Sequence, residues 1–309
     1  MPVPILSAPG ASSPFSAAFL DALGALPFGV LVGFAIAIGL VVGSFLNVVV
    51  HRLPIMLERA WRADVAESLG TPAPAFEDDG FPARYNLCLP RSACPHCGHV
   101  LRAWENIPVL SWLALRGRCS HCHARVSVRY PLVELLSAAC AAAALIAFGP
   151  SGKALAAFVL CAVLIAASAI DLQRQMLYDE LTQPLLWAGL IVNFEGTFTG
   201  LEEAVIGAIA GYLALWCVYW VFRLLRGVEG MGHGDFKLLA ALGAWLGWSA
   251  LPQIVVIAAL AGAIVGVAAT VSGRMRFEEP LPFGPYLAAG ALVTLFAGTP
   301  LYGVFAWGG

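Results

Sequence analysis

Charge is what this sequence has least of. Asp, Glu, Lys and Arg make up 12% of its 309 residues, against roughly a quarter in ordinary soluble domains. Hydrophobic residues make up 60%, and the mean hydropathy is +0.82. That excludes a soluble protein with a large core and leaves an integral membrane protein. Lys and Arg are absent from the first 20 residues, so the basic start of a cleavable signal peptide is missing and the first span is expected to stay as an anchor. No internal repeat of useful length is present. Neither is a strand-loop-helix glycine signature for a nucleotide-like cofactor. The net charge of −2 is no guide to partners, and no nucleic-acid partner is expected.

Apolar runs are abundant instead. A helix crosses a bilayer with about 20 mostly apolar residues. Strong candidates are 26–50, 132–149, 154–170, 204–222, 254–272 and 286–306, and two shorter ones are 181–194 and 236–250. The short pair could be re-entrant. Lys and Arg accumulate on the cytoplasmic side of membrane helices. With eight spans and the N-terminus outside, 16 of the 17 basic residues fall in inward loops, and only Lys153 does not. The expected fold is therefore an all-α polytopic membrane protein of about eight transmembrane helices, with both termini outside. Its divisions are an outer tail over 1–25, a first span over 26–50, a small polar domain over 51–130 facing the cytoplasm, and a seven-helix membrane domain over 131–309.

The polar domain contains CPHC at 94–97 and CSHC at 119–122, two C-x2-C pairs 21 residues apart. Four thiolates can close a tetrahedral zinc site. Disulfides or redox pairs are the alternatives, and they persist poorly in the cytoplasm. Cys94, Cys97, Cys119 and Cys122 are thus candidate zinc ligands, and the metal reads as a staple for a domain too small to build a firm core. Cys88 is left over.

Acids inside membrane spans are expensive and are functional candidates by default. Asp171 closes the third span, Asp179 follows it, Asp235 opens the sixth, and Glu134 opens the second. Spans three and six run in opposite directions, which puts Asp171 and Asp235 at one cytoplasmic depth although 64 residues separate them. Two such carboxyls cannot both ionise easily, and that supplies the acid and base of an aspartic protease. Gly232 and Gly234 in GMGHGD allow a tight backbone approach. A helix N-cap is the plainer reading of Asp235. An acidic run, Glu77 to Asp79, could attract a basic peptide or be a solvated loop.

The ordered motifs GSFLNVVVHRLP at 43–54, the two cysteine pairs, WENIPVLSWL at 104–113, YPLVELLSA at 130–138, AIDLQRQMLYDELT at 169–182, GMGHGDFKLL at 230–239 and PFGPYLA at 282–288 together resemble the type IV prepilin peptidases. These are membrane aspartic proteases of the G-x-G-D type. The resemblance implies cleavage of the basic leader from prepilins and type II secretion pseudopilins at the cytoplasmic face of a bacterial inner membrane. It further implies methylation of the new N-terminal amine with S-adenosylmethionine. Asp171 and Asp235 match the catalytic aspartates, and the four cysteines match the family's cytoplasmic ones. Tyr178 stands where the family often has proline. Gly43, Asn47 and Gly117 are the candidates for the methyl-donor site, with close helix packing or a turn as the alternative for the glycines and a helix-to-helix hydrogen bond for Asn47. Two rival readings are a zinc-scaffolded membrane transferase without protease activity and a proton-coupled transporter.

Overall fold

The computed structural model of the chain describes residues 26–71, 81–82, 84–227, 231–273 and 281–298. The outer tail over 1–25, the acidic run Glu77 to Asp79, and the last expected span beyond residue 298 lie outside them. Every membrane candidate over the described residues is a helix: α1 (Phe28–Ser68), α2 (Arg129–Phe148), α3 (Gly152–Arg174), α4 (Asp179–Val192), α5 (Leu201–Arg226), α6 (His233–Leu246), α7 (Leu251–Val271) and α8 (Gly284–Ala297). Five of them, α1, α2, α3, α5 and a stretch containing α7, are long and apolar enough to cross a membrane, and α8 is a shorter apolar helix. Among the described residues there are isolated β-bridges but no strands.

The helix of the first span does not stop at residue 50. α1 runs 41 residues, about 60 Å at 1.5 Å per residue and twice a hydrocarbon core of ~30 Å. Close to half of it must therefore project out of the bilayer. Pro54 lies inside it, where it removes one backbone hydrogen bond and crowds the preceding turn, yet the helix continues through it. The polar residues from 51 onward mark the exit from the membrane, not the end of the helix.

α4 and α6 have 14 residues each, and α6 is enclosed on all sides. Phe236, Leu238, Leu239, Leu242 and Trp245 are each at most 1% exposed. Small residues let its neighbours close in, as is usual between membrane helices. Gly207 of α5 and Gly243 of α6 meet backbone to backbone, and a Cβ on Gly211 would stand 2.6 Å from the Leu239 carbonyl. At the far end of α6, the Asn193 amide donates to the Ala244 and Trp245 carbonyls, both at 2.8 Å. Those carbonyls have no partner within their own helix. The Trp245 indole donates to the Leu185 carbonyl (2.7 Å). α6 is thus pinned, and its first turn is delivered to a fixed place.

Candidate active site and metal centre

Asp171 and Asp235 come together. Asp171 sits in the last turn of α3, just before Gln175 ends the helix in a left-handed conformation (φ 53°). Asp235 sits in the first turn of α6. Their side chains belong to residues only 5% and 7% exposed, and the two carboxyls lie within electrostatic reach of each other. Asp235 is not the helix cap: that position is Gly232, with no side-chain capping bond, and Asp235 is three residues inside.

A third element completes the pair. The Gly284 N–H, the first of α8, donates to Asp171 Oδ2 at 3.0 Å. A Cβ on Gly284 would stand 2.7 Å from that same oxygen, so only glycine lets the backbone come this close. Leu177 wedges between the turns. A Cβ on Gly234 would stand 2.6 Å from Leu177 Cβ, and one on Gly284 would lie 3.3 Å from its methyl groups. Gly234 therefore serves close approach between the 175–178 turn and α6, while Gly232 has the Asp235 carboxyl as its nearest neighbour (3.7 Å from a built Cβ). Gly284 and Leu177 carry no titratable atom, so the charge reasoning passed them over. The signal was the glycine between Phe283 and Pro285.

Asp179, the remaining acid of this region, pairs with Lys237 Nζ at 2.6 and 2.7 Å, tying the start of α4 to the turn that carries Asp235. Tyr178 precedes it with φ −82° and ψ 143°, an extended conformation close to what proline would impose. The turn tolerates tyrosine for that reason. Tyr178 lies within electrostatic reach of Glu58 on the projecting part of α1, and His51 is within reach of Arg174 at the end of α3. The aspartates and the polar domain consequently face the same side.

In that domain the four cysteines converge as expected. Cys94 and Cys122 Sγ are 3.7 Å apart, Cys97 and Cys119 Sγ 4.0 Å, and all four sulfurs lie within 4.8 Å of one another. A tetrahedron with bonds of about 2.3 Å has sulfur edges of about 3.8 Å, so the cluster fits a four-thiolate metal site. Each pair sits in the same knuckle. Cys94 N–H donates to His99 O and Cys119 N–H to Ala124 O, both at 2.9 Å; Leu101 N–H donates to Ser92 O and Val126 N–H to Gly117 O, both at 2.8 Å. Gly98 and His123 occupy matching left-handed positions (φ 69° and 56°). This short structural repeat has almost no trace in the sequence beyond the cysteines. Backbone N–H groups of Cys122 and His121 hold the Cys119 thiol down at about 6, whereas Cys97, in the same cluster, is raised to about 12.

Polar side chains hold the rest. Glu105 accepts from Arg102 N–H (2.7 Å) and pairs with His99 Nε2 (3.2 Å); the Arg102 N–H, then the Ser120 hydroxyl, hold its carboxyl down at about 2. Arg52 donates to the Asn86 and Pro90 carbonyls (2.8 and 2.7 Å), and Arg59 to those of Pro82 and Phe81 (2.9 and 3.0 Å). Tyr85 stacks against both guanidinium groups, each 5.4 Å from its ring. None of these roles was visible from residue type alone.

Each of the three methyl-donor candidates has a protein neighbour. A Cβ on Gly43 would stand 2.6 Å from Glu134 Cα, and one on Gly117 would stand 2.8 Å from the Trp112 ring. The Asn47 amide donates to the Tyr130 carbonyl at 3.0 Å. Neither glycine opens a cradle for a ligand. Glu134, the fourth intramembrane acid, lies 8% exposed and accepts from Val109 N–H at 2.7 Å.

Comparison with known proteins agrees with the geometry. The bacterial peptidase A24 N-terminal domain matches residues 37–148, and the type IV leader peptidase family matches residues 158–267. A prepilin leader peptidase/N-methyltransferase of Burkholderia pseudomallei is 69% identical over 283 residues, covering 92% of this chain and 91% of its own. The proteins of the same name from Aeromonas salmonicida and Pseudomonas aeruginosa are 53% and 52% identical, covering 84% and 85% of this chain and 88% and 89% of theirs. No solved structure matches significantly. The chain belongs to the type IV leader peptidase family.

Proposed function

We propose that this protein removes the leader peptide from type IV prepilins and type II secretion pseudopilins and then methylates the N-terminal amine it has exposed. One observation supports the cleavage half: two buried carboxyls, Asp171 in the last turn of α3 and Asp235 in the first turn of α6, lie within electrostatic reach of each other. A prepilin's apolar helix would lie among the spans with its basic leader toward the polar domain.

Asp171 and Asp235 are the catalytic pair in this reading. One carboxylate takes a proton from a water whose oxygen attacks the scissile carbonyl; the other, neutral, carboxyl gives its proton to the departing amine. Burial keeps bulk water away and strengthens both electrostatic contributions. Gly284 N–H orients Asp171, and Gly232 and Gly234 allow the turn that presents Asp235.

The metal is assigned as zinc, held by Cys94, Cys97, Cys119 and Cys122, with no coordination position left for chemistry. It supplies folding energy to the polar domain. The methyl donor, S-adenosylmethionine, supplies the methyl group when bound, and Gly43, Asn47 and Gly117 are proposed as positions that shape its surroundings indirectly, the glycines through the close packing they allow. The amine must lose its proton before it can act as nucleophile. The proposed setting is a bacterial inner membrane with the zinc domain cytoplasmic and both termini periplasmic, which the distribution of Lys and Arg supports.

The test is incubation of the purified protein, in lipid, with a prepilin and S-adenosylmethionine, followed by mass spectrometry. Loss of the leader followed by a gain of one methyl group is the expected sequence. Methyl gain with the leader intact would instead support the transferase reading, and no change in mass with a competent prepilin would count against both activities.

A further inference from the structure

Among the described residues, Glu134 is the one buried intramembrane acid that neither the cleavage step nor the metal uses. It stands in the first turns of α2, and its Oε2 accepts the Val109 N–H at 2.7 Å. The Ser44 hydroxyl of α1 donates to the same carboxyl. Val109 is held with φ 58° and ψ −49°, a left-handed φ that a β-branched residue rarely adopts. The turn is closed by Leu110 N–H on the Pro108 carbonyl, and the Val109 N–H that it leaves free within the backbone is taken up by Glu134.

From Val109 the contact continues to the metal site. Val109 precedes the short helix Leu110–Ala114, whose Trp112 lies over Gly117 and donates through its indole to the Val126 carbonyl at 3.2 Å. Gly117 and Val126 flank the second knuckle and are themselves hydrogen-bonded. On the other side of Val109, Glu105 holds His99 of the first knuckle. Segment 105–117 is thus suspended between Glu134 below and both knuckles above. Gly43 is what lets α1 close onto Glu134, and Asn47 fixes the Tyr130 carbonyl one turn earlier in α2.

We propose that Glu134 is a positioning residue for methyl transfer: as a hydrogen-bond acceptor for Val109 it seats the metal-binding domain on α1 and α2. The proposal rests on the methyltransferase reading given above. It differs from the usual expectation for an intramembrane acid, a proton relay or cation site, because it needs an acceptor oxygen and no charge. Glutamine would serve; alanine would not.

The experiment uses the full-length protein in lipid with three variants, Glu134→Ala, Glu134→Gln and Ser44→Ala. Hydrogen exchange over residues 104–113 reads the junction directly, and methylation of a pre-cleaved peptide and cleavage of prepilin are measured beside it. Glu134→Ala is expected to expose the segment to exchange and to slow methylation about tenfold, the size of one intramolecular hydrogen bond between uncharged groups, while cleavage stays within about twofold. Glu134→Gln should restore both readings. Ser44→Ala keeps the Val109 bond and should change them little; it also serves as the folded reference if Glu134→Ala is poorly made. The proposal is overturned if Glu134→Gln is as damaging as Glu134→Ala, which would make the charge essential, or if exchange over 104–113 is the same in all four proteins. A wild type that cleaves but never methylates would sink the methyltransferase reading alone, since exchange still reads the junction.

Discussion

Around Asp171 and Asp235 the helices are brought together by glycine backbone at close range: Gly207 on the Gly243 backbone, Gly234 under the Leu177 side chain, Gly284 against the Asp171 carboxyl. Around the cysteines almost the reverse holds. There Arg52, Arg59, Glu105 and Glu134 reach into loops and satisfy carbonyls and N–H groups one at a time. In lipid, apolar side chains gain nothing by leaving their surroundings for one another, so close packing of small residues must supply the cohesion. A small polar domain has water to compete with and too little apolar area for a core, so it relies on a metal and on buried polar bonds. The two regions should therefore fail in different ways.

The largest expected effect is at the aspartates. Asp171→Asn and Asp235→Asn should each lower prepilin cleavage about a thousandfold or more, with methylation of a pre-cleaved peptide close to wild type. Gly284→Ala comes next. Its Cβ would stand 2.7 Å from Asp171 Oδ2 and must push the carboxyl aside. A displacement of that order should cost kcat/KM for cleavage about a hundredfold, again sparing methylation.

Removing the metal should break the other region. A strong chelator, or Cys119→Ser, should make residues 81–129 sensitive to protease and abolish methylation, while α3, α6 and α8 keep their protection; simultaneous collapse of the membrane helices would erase the distinction between the regions. The smallest effect is expected at the Asp179–Lys237 pair. Its side chains are 54% and 28% exposed, and such pairs contribute at most about 1 kcal/mol. Lys237→Met should slow cleavage only a few-fold, and exchanging the two charges should recover part of the loss.

What the sequence made legible divides along the same line. The spans, the four cysteines and the meeting of Asp171 with Asp235 could be read because hydropathy, ligand spacing and helix direction each act through residue type. The extension of α1 to Ser68 was not, since its Pro54 and its arginines signal departure from the membrane and are silent on helix continuity. Gly284 escaped because a backbone N–H has no residue identity. Asn193, at the end of the weak span 181–194, was a polar residue in an apolar run, and that was its signal; its task of holding α6 by two carbonyls needed the fold to be seen. Each of the eight expected spans falls on a helix, α1 to α8, over the described residues; five are long and apolar enough to cross a membrane, and α4, α6 and α8 are shorter than a full crossing. The methyl-donor candidates show the limit most clearly. Gly43, Asn47 and Gly117 each already have a protein contact that accounts for them.

The central claim is that Asp171 and Asp235 act as one unit, and the most direct test is a cycle of cleavage rates for wild type, each Asp→Asn variant and the double variant, in the same lipid and with methylation of a pre-cleaved peptide as the folding control. Groups that work together lose nearly everything with the first substitution, so the double variant should cleave no more slowly than either single one. Residual cleavage in the singles, with losses that add in the double, would contradict a shared mechanism for the pair.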